Sequence, residues 1–380
     1  MNLEKCREKI DKINDEILKL FISRMEVTSQ VADYKKENNL SVYQPDRERE
    51  ILDKIRKDAG EDMADYAGLL FSDIMALSRA YQADRNVETN IALMGKIKKA
   101  ISSTPSEFPH SAVVVCQGVE GAYSQLACKQ IFSDPKIIYF KNFDAVFSAI
   151  EQGLCKYGIL PIENSLYGSV NQVYDLMKNH NFYIARATKL KIDHTVLAKE
   201  KISLEEITDI YSHEQALGQC SEFLKEHPEI KVHVCENTAV AAKKVAESEN
   251  KYAASISSPE CMDIYGLSRV AKNISNSDAN YTRFICISKK EEIYKDADKI
   301  SLMLKTEHKP GALYRLISRF NVQGINITKL ESRPIVGSEF EYMFYFDIEA
   351  DITQPKVQML ISHLCKDEVN SVFLGSYREV

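Results

Sequence analysis

Leu3, Cys6, Ile10, Ile13, Ile17, Leu20, Arg24, Val27, Val31 and Tyr34 fall at alternating steps of three and four, with no Gly or Pro between them. This seam constrains the fold more than anything else in the chain. It predicts one helix of more than 30 residues, about 50 Å long at 1.5 Å per residue. A helix of that length cannot bury its stripe within its own short domain, so it is expected to pair with the same helix of a second chain. Two more helices are expected at 45–57 and 63–97, the first opening on Pro45 at a favourable first position.

With 380 residues the chain should form two or three domains. Its 44% hydrophobic and 27% charged content is ordinary for a globular protein. A net charge of −6 and the lack of a dense basic run argue against nucleic acid as a partner. Nine cysteines without a Cys-x-x-Cys pair and eight unclustered histidines indicate neither a metal site nor a disulfide framework. No glycine-rich nucleotide motif is present, and no cofactor is expected. Glu4, Lys5, Arg7, Glu8 and Lys9 do not make a signal peptide, and no apolar run would span a membrane, so a cytoplasmic protein is expected.

Arg24 interrupts the apolar seam, and a charge there calls for an anionic partner. Lys35 lies three helical turns on along the same face, about 16 Å away. Arg7 is rotated from Arg24 by about 100° onto another face. Arg47 and Glu48 open the second helix, and Ser78 and Gln82 stand four apart on the third. Read alone, this pattern also fits a coiled-coil dimer with a charged face and one register-setting polar residue.

Over residues 3–85 these features resemble the all-helical chorismate mutases. The resemblance implies an intertwined dimer whose site takes Arg7 from the partner chain. Arg24 and Arg47 would bind substrate carboxylates, Lys35 and Gln82 would flank the ether oxygen, and Glu48 and Ser78 would complete the pocket. Gln44 stands where the family often has aspartate. Chorismate rearranges to prephenate without a nucleophile or metal. Fixed cations can hold the dicarboxylate in its reactive conformer and stabilise charge growing on the breaking ether bond.

A Ser/Pro-rich linker is expected at 102–109, followed by strands alternating with helices to about residue 288. Polar residues collect at the expected strand ends: Gly121 to Ser124, Glu163-Asn164-Ser165, Ser212-His213-Glu214-Gln215, and Asn280 to Phe284. The first of these, a strand, a glycine turn and a helix start, suits an anion. Ser212 with Gln215 also reads as a plain capping box.

In that order the segments resemble the prephenate dehydratases. Their fold is two α/β lobes, similar to periplasmic binding proteins, with the site in the cleft between them. Val119 departs from the family's usual proline. The resemblance makes Thr282 the catalytic threonine, a hydrogen-bond donor to the departing hydroxyl, with Glu163 as the reserve general acid. Tyr123, Ser124, Asn164, Ser165, Ser212, His213, Gln215, Asn280 and Phe284 would line the substrate site. Arg283 is either a carboxylate clamp or a support for its strand, with support preferred.

Residues 300–380 read as strand, helix, strand, strand, helix, strand, a split βαβ pattern. Lys309-Pro310-Gly311-Ala312-Leu313 and Glu331-Ser332-Arg333-Pro334 resemble the ACT domains of prephenate dehydratases. That implies phenylalanine bound between two subunits by Gly311, Ala312, Leu313, Asn326, Glu331 and Ser332.

The expected organisation is therefore three domains. These are an all-α three-helix mutase at 1–100, a two-lobed α/β dehydratase at 111–290, and a βαββαβ ferredoxin-like regulatory domain at 299–380. The whole resembles the bifunctional chorismate mutase–prephenate dehydratases of phenylalanine biosynthesis, feedback-inhibited by L-phenylalanine. The partners implied are chorismate, prephenate, phenylalanine and a second copy of the chain. Two alternatives stand beside this reading: a non-catalytic amino-acid sensor, and a chain that keeps one activity of the two. Dimer and tetramer are both compatible with the two expected two-fold contacts.

Overall fold

The computed structural model describes residues 2–38, 44–86, 90–306, 308, 311–335, 341–366 and 370–380. Pro310, expected to open a helix, lies outside them.

Four helices come first: α1 (Leu3–Glu37), α2 (Pro45–Ala59), α3 (Ala64–Asn86) and α4 (Ile91–Ser103). The Asn2 side chain caps α1 by accepting from the Glu4 N–H at 3.1 Å. Pro45 opens α2, with Asp46 and Glu48 in its first turn and Arg56 and Lys57 in its last, matching the helix dipole. The single long helix expected at 63–97 is two helices. The first ends at Asn86, and Asn90 caps the second, its side chain accepting from the Leu93 N–H at 2.9 Å. Ser102 and Ser103, expected in a linker, form the end of α4.

The second half of α1 packs on α3 and buries Thr28, Ala32 and Lys35. Its first half leaves Leu3, Ile10, Ile13, Ile17 and Leu20 more than half exposed. At the start of α3, Tyr66, Leu69 and Leu70 are exposed as well. Apolar patches of this size mark interaction surfaces.

The middle of the chain forms two sheets. The elements are β1 (Ser111–Gln117), α5 (Tyr123–Ile131), β2 (Asp134–Phe140), α6 (Phe143–Glu151), β3 (Tyr157–Asn164), β4 (Gly168–Ser169), α7 (Asn171–Met177) and β5 (Tyr183–Lys191). There follow β6 (Thr195–Ala198), β7 (Asp209–His213), α8 (Glu214–Gln219), α9 (Ser221–Glu226), β8 (Lys231–Cys235), α10 (Thr238–Glu247), β9 (Ala253–Ser257), α11 (Cys261–Tyr265), β10 (Ser268–Ala271) and β11 (Tyr281–Ser288). The first sheet runs β2-β1-β3-β11-β5 with β4 paired to β3, and the second runs β10-β6-β9-β7-β8. The chain enters the second lobe after β5 and returns as β11, which lies antiparallel between β3 and β5. That return strand sets Thr282 opposite Asn164.

The last region comprises β12 (Lys299–Lys305), α12 (Ala312–Val322), β13 (Asn326–Pro334), β14 (Tyr342–Glu349), α13 (Pro355–Leu364) and β15 (Ser371–Tyr377), with sheet order β13-β14-β12-β15. One sheet face packs on α12, α13 and also α4, whose Ile97 and Ala100 sit in one core with Ile300, Leu302, Phe320 and Ile361. The boundary expected at residue 100 therefore cuts through a helix that packs with the C-terminal sheet. The other face shares a core with the first lobe, where Met303, Tyr345 and Leu374 meet Ile184, Ile285 and Ile287. The chain end adds to β5: the Val380 N–H donates to Ala187 O at 2.9 Å, and Thr188 Oγ1 donates to Val380 O at 2.7 Å.

Candidate active sites

The helical region encloses a pocket of about 710 Å³ lined from α1, α2 and α3. It brings together Arg24, Lys35, Arg47, Glu48, Ser78 and Gln82. Arg24 Nη1 donates to Ser78 Oγ, whose own hydroxyl donates to Ile74 O at 2.8 Å. Lys35 is 9% exposed. Burial pushes its ammonium below the usual lysine range, and nearby Glu48 opposes that shift. Burial likewise lowers the Arg24 guanidinium. Gln82 is buried, and its side-chain oxygen has no partner among the described residues, the mark of a group built to meet a ligand.

Arg79 was not anticipated. It faces the same pocket and is ion-paired with Glu48; its place one residue after Ser78 and three before Gln82 carried the signal. Among the described residues the pocket thus sets four cations, Arg24, Lys35, Arg47 and Arg79, against one carboxylate, Glu48. Arg7 does not line it and lies about 26 Å along α1 from Arg24 by helical rise.

A second pocket of about 690 Å³ lies between the two lobes, within the size range of small-molecule sites. Tyr123, Ser124, Asn164, His213, Gln215, Thr282 and Phe284 all line it. Asn164 Nδ2 donates to Thr282 Oγ1 at 3.0 Å and to Asn280 Oδ1 at 2.8 Å. Asn164 Oδ1 accepts the Leu166 and Tyr167 N–H groups, each at 3.0 Å, so its amide is fixed from both ends. Because Thr282 Oγ1 accepts from Asn164, its own proton is left for the cleft.

Five expected site residues do not face this space. Glu163 and Arg283 sit one position from Asn164 and Thr282, and neighbouring strand residues point to opposite faces. Glu163 pairs with Lys329 Nζ at 2.9 Å. Arg283, 6% exposed, is ion-paired with Asp347 and Glu379 and donates to the Tyr377 hydroxyl at 2.9 Å. These bonds tie its strand to the C-terminal region. Ser212 is buried and donates to Ile256 O at 2.6 Å. The cap of α8 is His213, whose Nδ1 accepts the Gln215 N–H at 3.3 Å. Asn280 is fully buried and holds Asn164. Ser165 donates to Ala279 O at 2.6 Å and ties the loop after β3 to the residues before β11.

The glycine turn after β1 is also used differently from expectation. Gly121 N–H donates to Gln125 Oε1, and Ala122 N–H to Val119 O, so these two donors are spent within the turn. Gly121 has φ +88, and a Cβ there would stand 2.8 Å from Cys261 Sγ of the second lobe. The turn is a contact between lobes that only glycine fits.

Sequence reasoning missed His194, Gln219, Asn237 and Thr238, which line the cleft. His194 joins the Gln219 side chain at 2.6 Å and the Tyr123 hydroxyl at 3.2 Å. Burial pushes its basicity down, and the Gln219 bond opposes that. Neighbouring strands and helices of separate lobes assemble this cluster, so local spacing holds no trace of it.

In the C-terminal region Gly311 is the N-terminal cap of α12 with φ +75, and Ala312 and Leu313 begin the helix. Asn326 Nδ2 donates to Glu349 at 2.8 Å. Glu331 and Ser332, expected to act together, part company: Glu331 accepts from Ser169 Oγ at the cleft edge, while Ser332 is exposed.

A profile described as chorismate mutase type II matches residues 6–83, and one described as prephenate dehydratase matches residues 114–292. The bifunctional chorismate mutase/prephenate dehydratase of Escherichia coli K12 is 31% identical over 379 residues, covering 98% of this chain and 95% of that one. The enzyme of the same name from Aquifex aeolicus is 31% identical over 99% of this chain and 97% of its own. A prephenate dehydratase from Arthrobacter aurescens, solved in complex with L-Phe, is 27% identical with a TM-score of 0.64, covering 70% of this chain and 90% of that one. The two matched regions define an enzyme with a mutase domain and a separate dehydratase domain. The chain belongs to the bifunctional chorismate mutase/prephenate dehydratases of phenylalanine biosynthesis and carries both activities.

Proposed function

We propose that the helical pocket holds chorismate and the interlobe cleft holds prephenate, with the roles divided as follows. Arg24 and Arg47 take the chorismate carboxylates, and Lys35 and Gln82 meet the ether oxygen as its charge grows. Glu48 is held by Arg79 and in turn keeps Lys35 protonated. The exposed seam on α1 pairs with a second copy, which supplies Arg7. In the cleft the prephenate C1–carboxylate bond breaks, its electron pair enters the ring, and the C4 hydroxyl departs as water with a proton drawn finally from solvent. Thr282 donates a hydrogen bond to that departing oxygen. The observation that carries this is the Asn164 amide on Thr282 Oγ1 at 3.0 Å, which turns the hydroxyl proton toward the substrate.

We further propose that the C-terminal region is an ACT domain that takes phenylalanine at Gly311 and the start of α12, against β13 of a second copy. The L-Phe complex of the Arthrobacter relative supports this. The coupling is assigned to two direct contacts between this domain and the first lobe, Arg283 with Asp347 and Ser169 with Glu331. Inhibition requires two states with different affinity for the effector.

The test of the shared mutase site mixes Arg7→Ala with Arg24→Ala chains, each inactive alone. Mixed dimers have one site with both arginines and should regain mutase activity; verified mixed dimers without activity would place Arg7 outside the partner's pocket. For the effector, Gly311→Val should abolish calorimetric phenylalanine binding and leave uninhibited prephenate turnover in place. Unchanged inhibition would move the effector site elsewhere.

A further inference from the structure

Prephenate carries two carboxylates, yet no described residue lining the cleft is a lysine or an arginine. The two lining histidines, His194 and His213, both have their basicity lowered by burial. A dianion in such a site must be met by neutral donors and by the ends of helices.

We propose that the N-terminus of α10, at Asn237 and Thr238, binds the pyruvyl carboxylate of prephenate, the one that survives into phenylpyruvate. The proposal rests on the reading of the cleft as the dehydratase site. Thr238 is the first residue of a ten-residue helix and lines the cleft. It is 9% exposed, and its hydroxyl has no hydrogen-bond partner among the described residues. Asn237 accepts the Val240 N–H at 2.8 Å through Oδ1, so its Nδ2 remains a donor. The N–H groups of Thr238 and Ala239 have no acceptor within the helix, and the helix dipole favours an anion there. Glu236, exposed at the rim, opposes it.

The geometry of the substrate selects this helix and this carboxylate. In prephenate the leaving hydroxyl and the carbon that bears both acid groups lie at opposite ends of the ring. Thr282 serves the hydroxyl from the first lobe, and α10 packs on β9 and β7 of the second. The start of α5 also reaches the cleft, but α5 packs on the sheet that carries Thr282. The other carboxylate must surrender its charge as carbon dioxide, so a strong anion site around it would hold back the reaction. The pyruvyl carboxylate keeps its charge throughout and can be held without raising the barrier.

Asn237→Asp separates this role from simple capping. Aspartate caps as well as asparagine and suits the helix end electrostatically, so a purely structural role leaves turnover unchanged. The proposal predicts KM for prephenate raised about 10- to 30-fold with kcat little altered, since the lost interaction is equal in ground and transition states. The inhibition constant of phenylpyruvate, which keeps only that carboxylate, should rise by a similar factor. Thr238→Val should raise both constants about 3- to 10-fold, and mutase activity in the same samples reports folding. Unchanged constants in both variants overturn the proposal. A raised KM with unaltered phenylpyruvate affinity also overturns it, because α10 would then hold the leaving carboxylate. Thr282→Val run in parallel tells this failure from a deeper one: normal prephenate turnover there removes the cleft reading itself.

Discussion

On the proposed assignment, prephenate leaves the helical pocket as a product and enters the cleft as a substrate, yet the two sites are made of opposite materials. Around the first stand Arg24, Lys35, Arg47 and Arg79 against Glu48. The second offers amides, hydroxyls, imidazoles whose basicity burial lowers, and helix ends. The reactions account for the difference. In the mutase, negative charge appears on the ether oxygen as the bond breaks, and fixed cations stabilise that state selectively. In the dehydratase, a carboxylate must give up its charge, and a cation beside it would stabilise the state the reaction has to leave. One molecule can therefore call for dense positive charge in one site and its exclusion from the next.

The largest effects test the two reacting groups. Thr282→Val keeps the β-branched shape and removes only the hydroxyl, so kcat for prephenate should fall about 10²- to 10⁴-fold. Chorismate should still be consumed and prephenate should accumulate, as a coupled product assay would show; unaltered phenylpyruvate formation would make Thr282 a packing residue. Lys35→Ala should lower mutase kcat about 10²- to 10³-fold and spare the dehydratase. Near-normal mutase turnover in that variant would refute the charge argument for the helical pocket.

The contrast should also appear in pH profiles. Burial depresses the Lys35 ammonium, so its proton is lost at lower pH than from a free lysine. Mutase kcat/KM should accordingly fall on the alkaline side, starting below the usual lysine range, and Lys35→Arg should flatten that limb. The dehydratase, with no lysine among the described residues lining its cleft, should lack it; coincident limbs would break the comparison. The smallest effect is ionic. Raising salt from about 0.05 to about 0.5 M should weaken chorismate binding a few-fold more than prephenate binding.

The helical site was the more legible of the two because it is written in spacing. Arg24 to Lys35, and Ser78 to Gln82, are distances along one helix face, and only Arg79 was overlooked. In the cleft, strand alternation already put Thr282 and Arg283 on opposite faces, and Glu163 and Asn164 likewise. What it could not say is which face meets the cleft. That depends on Asp347 and Lys329, which belong to a sheet assembled from later chain. Asn237 and Thr238 were hidden for a related reason, since their helix faces Thr282 only once the second lobe has closed on the first. The long helix misjudged at 63–97 held a break at Asn90 that apolar periodicity does not show. The N–H of Asn90 donates to Ser362 Oγ, and its amide donates to Cys365 O, each at 2.7 Å.

That anchoring of α4 has a consequence in time. Ile97 and Ala100 leave the ribosome about 200 residues before Ile300, Leu302 and Ile361, the side chains that bury them. At ordinary synthesis rates the delay is on the order of 10–40 s. For that interval α4 carries an uncovered apolar stripe, while the mutase helices before it and the two lobes after it can already fold. The chain is thus threaded so that its first connecting helix waits for its last domain. Conditions that slow or truncate synthesis should expose that stripe to chaperones before they disturb either active site.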